Sequence, residues 1–114
     1  MTCDGNAHVG DQSQNVLRYF VSYTGVKLPL QLTGELDANG LHHRNTYFRG
    51  WFDPETRLVG LEKITYGEVE LTHRYEYHDN GVLKLARIVN ADDEITTMHF
   101  DIQGTLVLSE TVEA

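Results

Sequence analysis

The chain is short of almost everything that announces a function. It has one cysteine, Cys3, set in a polar stretch. Without a second thiol there is no disulfide framework, and a reducing compartment is expected. Basic residues are scarce, nine Lys and Arg against 17 Asp and Glu, for a net charge of −8. That excludes nucleic acid and anionic membrane as main partners, because both require a basic surface. No apolar run approaches the length of a membrane span. Residues 1–15 lack the apolar segment of a signal peptide. Together these absences point to a cytoplasmic location. Apolar residues nowhere recur at helical spacing between caps, so no helix is expected.

Catalytic and metal motifs are missing too. There are six His residues, but His42 and His43 are adjacent and would point oppositely on a strand. There is no Cys pair, and no His-Glu-x-x-His spacing. Asp37-Ala38-Asn39-Gly40 matches only the start of a calcium loop. No metal or other cofactor is expected, and no catalytic nucleophile is assigned.

What is present is a repeating hairpin. In Tyr75-Glu76-Tyr77-His78-Asp79-Asn80-Gly81-Val82-Leu83, the Asp-Asn-Gly run suits a three-residue loop, with Gly in the left-handed position. Residues on either side alternate as strands do. An aromatic residue six positions before a Leu occurs three times: Phe52 and Leu58, Tyr77 and Leu83, Phe100 and Leu106. Spacings of 25 and then 23 residues between copies indicate stacked hairpin units. Six strands follow from Thr46: 46–53, 57–66, 69–78, 82–89, 94–101 and 105–112. Tyr66-Gly67-Glu68-Val69 reads as a two-residue turn with Gly first. Ahead of them, Val16–Tyr23 and Val26–Leu32 pair across Thr24-Gly25, with Pro29 marking the second strand as an edge or as irregular there.

The reading is all-β: an eight-stranded antiparallel up-and-down meander in a single domain over 16–114. Residues 1–15 form a disordered or loosely tethered tail. The sheet closes into a barrel or curls strongly, since an open apolar face would stay wet unless two copies met face to face as a homodimer. Closure is the favoured outcome.

The turns fix a register, and one row in it is polar: Phe48, Glu62, His73, Arg87, Thr96, Glu110. In that register Glu62 opposes His73, and His73 opposes Arg87. Buried ionisable groups must be paired. The row reads either as the floor of a ligand pocket walled by Tyr75 and Tyr77, with Arg87 orienting an anionic or carbonyl group, or as a solvated ion-pair network at the sheet's end. On the outward face Tyr47, Arg49 and Trp51 make an aromatic and cationic patch, the composition of a protein interface. It serves a partner or is covered by the N-terminal segment or the 33–45 connection.

The segments Tyr75–Leu83 and Phe100-Asp101-Ile102-Gln103-Gly104-Thr105-Leu106 resemble the YD-repeat hairpins of RHS-type proteins. The resemblance implies hairpin geometry and carries no function. As a whole the chain looks like a member of a small bacterial family without an assigned function. The functional expectation is a non-enzymatic β domain that binds a small ligand or a partner protein. The alternative is a small enzyme using Glu62, His73 and Arg87.

Overall fold

The computed structural model describes residues 14–25 and 27–113. The tail expected over 1–15 lies, but for its last two residues, outside them. The elements are β1 (Val16–Thr24), β2 (Gln31–Leu36), α1 (Ala38–His42), β3 (Thr46–Phe52), β4 (Leu58–Thr65), β5 (Glu68–Tyr77), β6 (Leu83–Val89), β7 (Glu94–Phe100) and β8 (Leu106–Glu113). No described helix is long and apolar enough to cross a membrane.

All eight strands join one antiparallel sheet in the order β2-β1-β3-β4-β5-β6-β7-β8. From β3 onward it is the expected meander. The first hairpin is turned over, so that β1 rather than β2 adjoins β3. The second strand begins at Gln31, beyond Pro29, which has no N–H to give a ladder. Tyr23 therefore pairs with Leu32 rather than Val26, and Tyr19 with Leu36 rather than Leu30. As expected, this strand is an edge. The 37–45 connection holds the one short helix among the described residues, which the sequence reading did not anticipate. Asp37 caps it, its side chain accepting from the Gly40 N–H at 2.8 Å; the Asp-Ala-Asn-Gly run is an N-cap rather than a hairpin turn.

Four hairpin loops share one construction. The opening residue (Asp53, His78, Asn90, Asp101) donates its N–H to the carbonyl four residues on, and its carbonyl accepts from the N–H three residues on. The third loop residue is left-handed in each: Thr56 (φ 65°), Gly81 (88°), Asp93 (63°) and Gly104 (93°). This is a type I turn closed by a left-handed residue. Where the opener is Asp or Asn, its Oδ1 accepts two further N–H groups at 2.9–3.0 Å. The β4–β5 turn comes one residue earlier than expected: Tyr66 and Gly67 both have positive φ, and Thr65 pairs with Glu68.

In the three repeated hairpins the rung next to the loop is as expected: Phe52 with Leu58, Tyr77 with Leu83, Phe100 with Leu106. One step further in, each of these three hairpins bulges and the register shifts. Val59, Lys84 and Val107 are the extra residues, and Glu70 is a fourth between β4 and β5. A single inserted residue sends everything beyond it to the other face. Gly50 thus faces Leu61 rather than Gly60, Tyr75 faces Ala86 rather than Leu85, and Met98 faces Ser109 rather than Leu108.

The sheet does not close: β2 and β8 each have a single neighbour. It is curled instead. Strands sit about 4.8 Å apart, so β5 and β2, four steps apart, would be roughly 19 Å apart in a flat sheet. Yet the Leu30 N–H, one residue before β2, reaches the Tyr75 hydroxyl on β5 at 3.3 Å. The concave face holds the core: Phe20, Leu30, Phe48, Leu58, Leu61, Tyr75, Leu83 and Ala86. The apolar face left open by the missing closure is covered over this half by the chain's own 27–30 segment, with Leu28 and Leu30 packed against the core.

Candidate functional site

The bulges divide the polar row. His73 lies opposite Leu61 and Ile88, on the concave face with Tyr75 and Tyr77. Glu62 lies opposite Arg49 and Thr72, Arg87 opposite Arg74 and Thr97, and Glu110 opposite Thr97, all on the convex face. The expected Glu62–His73 and His73–Arg87 pairings are therefore corrected: the β4–β5 turn and its bulge move Glu62 one step, and the β5–β6 bulge moves Arg87. Glu62 instead binds Arg49, Oε1 to Nε, at 2.6 Å.

His73 is the one buried charged or polar side chain among the described residues, 5% exposed. Its Nδ1 lies 2.5 Å from the Tyr75 hydroxyl. That hydroxyl accepts from the Leu30 N–H and has no other acceptor for its own proton among the described residues, so it is assigned as the donor to Nδ1 of a neutral His73 with its hydrogen on Nε2. Burial favours this neutral form, pushing the His73 pKa down to about 4 and the Tyr75 pKa up to about 12. The pair ties Leu30, at the end of the 27–30 segment, to the middle of the sheet.

Beside this tie opens a pocket of about 930 Å³, bounded by Thr24–Leu32 on one side and the β3–β4 turn on the other. Phe20, Phe52, Leu28, Leu32, Leu58 and Tyr77 supply its apolar lining. The Tyr77 hydroxyl is turned away, donating to the Leu58 carbonyl at 2.5 Å, and burial pushes its pKa up to about 12. The charged residues lining the pocket are all cations: Arg18, Lys27 and Arg57. Arg18 stacks 5.1 Å from the Phe52 ring centre and 5.5 Å from that of Phe20; Arg57 stacks 5.1 Å from that of Tyr77. Such contacts hold a guanidinium flat against the apolar wall. Glu35 grips Arg18 through Nε and Nη2, and Asp53 and Glu55 hold Arg57 through Nε and Nη2. Hydrogen bonding to Glu35 raises the Arg18 pKa, and hydrogen bonding to Asp53 raises that of Arg57. Lys27 is exposed and forms no ion pair among the described residues.

Of the expected ligand residues, only Tyr77 lines this pocket; His73 and Tyr75 lie beneath the connection that bounds it. Arg18, Lys27 and Arg57 were passed over because pairing Val26–Leu32 with β1 as a regular hairpin leaves no cavity. Pro29 was the available signal that this segment is a connection.

On the convex face Tyr47, Arg49 and Trp51 do lie together. Tyr47 meets Tyr19 with ring centres 6.0 Å apart, and Arg49 stacks 5.8 Å from the Trp51 ring centre. A smaller hollow of about 230 Å³ is lined there by Asn15, Arg49, Trp51, Val59, Glu62 and Arg74.

Residues 12–109 match the model of a family described as a family of unknown function, DUF6156, and the chain belongs to that family. The match gives no support to the YD-repeat resemblance. No curated protein and no solved structure matches the chain.

Proposed function

We propose that this member of the family is a binding protein which holds a small, largely apolar molecule in the concave pocket. The observation that carries the reading is the pocket itself: about 930 Å³, the size and apolar character of small-molecule sites in general. It lies where a sheet that does not close meets a connection tied down by its own hydrogen bonds. A ligand there would complete the cover that closure would otherwise provide. The enzymatic alternative required Glu62, His73 and Arg87 in one site, and the register separates them.

The test is titration with a neutral apolar dye, N-phenyl-1-naphthylamine. One dye per chain should bind, with enhanced emission. Gln31→Trp, which places an indole at an exposed position lining the pocket, should weaken it about tenfold while leaving the unfolding midpoint in place. Dye binding that ignores this substitution would count against the pocket.

A further inference from the structure

The apolar walls say that the pocket takes an apolar body; its charges say what that body carries. Three of the chain's nine Lys and Arg line it, and no Asp or Glu among the described residues does, although carboxylates number 17 and the net charge is −8. The carboxylates that neutralise Arg18 and Arg57 approach from outside the lining. Glu35 takes Nε and Nη2 of Arg18; Asp53 takes Nε of Arg57 and Glu55 its Nη2. In both guanidiniums Nη1 makes no hydrogen bond among the described residues, while the ring stacking fixes the group against the wall. An arginine held on one side and free on the other is a preorganised donor. Lys27 adds a charge that no carboxylate among the described residues cancels. Thr24, Thr56 and Gln31 give further polar groups to the lining.

Resting on the ligand-binding reading above, we infer that the ligand is a single-chain amphiphile whose head is an oxyanion. The aliphatic or aromatic body lies against Phe20, Leu32, Phe52 and Tyr77. The head sits at the rim, where Lys27 supplies net charge and the two arginines supply directed N–H groups. A nucleic acid does not fit this occupant, since the basic surface is confined to one apolar-walled hollow in an acidic molecule. The pocket volume accommodates a chain of roughly 12 carbons with room to spare. A carboxylate and a phosphate monoester present the same chemistry to these donors.

The experiment is displacement of bound N-phenyl-1-naphthylamine by four probes with one dodecyl chain: dodecanoate, dodecyl phosphate, dodecanol and dodecyltrimethylammonium, each below its micelle concentration. The inference predicts that dodecanoate or dodecyl phosphate displaces the dye at about one-tenth the concentration of dodecanol, and that the cation is weakest. Whichever anion is tighter identifies the head. Lys27→Gln, at an exposed position, should reduce the anion's advantage several-fold and leave dodecanol unchanged; raising salt should do the same. If dodecanol matches the anions, the head-group inference is overturned while the apolar pocket stands. If the dye binds but none of the four displaces it, the dye lies elsewhere and both readings fall. If the dye itself does not bind, both fall as well.

Discussion

Tyr75 carries more of this molecule than any other single hydroxyl. It accepts from Leu30 and donates to His73, so it satisfies two groups that would otherwise be orphaned. An unmade hydrogen bond in a buried site costs about 1–3 kcal/mol. Tyr75→Phe should lower stability by that amount, read as a fall in the urea midpoint with the slope unchanged. His73 gives the companion prediction. Its folded pKa is about 4 against an ordinary 6.5, so the unfolded chain takes the proton first as pH falls. The stability from keeping His73 neutral is whole above pH 6.5, shrinks below it, and is gone below about 4. At about 1.4 kcal/mol per pKa unit, the full effect is roughly 3 kcal/mol. Between pH 7 and pH 5 the wild type should lose about 2 kcal/mol more than His73→Gln, whose amide can accept from Tyr75 but does not titrate. Equal losses in urea titrations would show that His73 is already free to charge in the folded state.

At the scale of elements, the hairpin loops make the sharpest claim. Thr56 and Gly104 occupy the same left-handed position in the first and third copies, at φ 65° and 93°. A β-branched residue is strained there and glycine is not. Thr56→Gly should therefore raise stability by about 1 kcal/mol and Gly104→Ala lower it by about 1 kcal/mol, measured by thermal unfolding. A different constraint acts at Gly50, where a Cβ would stand 2.5 Å from Leu32 Cδ1 and 3.1 Å from Leu58 Cδ1. Gly50→Ala should cost about 1–3 kcal/mol through overpacking and loosen the seat of β2 on the sheet. The loops were legible because Asn80-Gly81 and Gln103-Gly104 state their conformation locally, and the all-β antiparallel sheet followed from them. The bulges were not legible. Beyond Lys84 the pattern offers Leu85 and Ala86; hydrophobicity favours Leu85 as the inward residue, while the packed space took Ala86, which is 0% exposed. Val107 hides the third shift in the same way, since Leu108 suits either face. A row of polar residues inferred from an unbulged ladder could not survive this. The pocket was hidden for a separate reason: the 25–30 connection looks like a strand until Pro29 is given its full weight.

At the scale of the molecule, the two halves of the sheet differ. The β1–β5 half is covered by its own connection and holds the pocket. The far edge is bare: all eight residues of β8 are exposed, Leu106, Val107, Leu108 and Val112 among them. Amide exchange should accordingly be slowest in β4 and β5 and fastest in β8, with the Leu30 amide protected as long as the Tyr75 tie holds. A uniformly protected sheet in dilute protein would mean that a second copy or another partner covers β8. Edge strands invite such pairing. The central claim, however, concerns the concave face. It is tested most directly by mapping amide and methyl chemical shifts on titration with dodecanoate. The account predicts saturable changes at Phe20, Lys27, Leu28, Leu32, Phe52 and Arg57, with Trp51 and Arg74 unmoved. Changes centred on Trp51 and Arg74, or none that saturate, would contradict it.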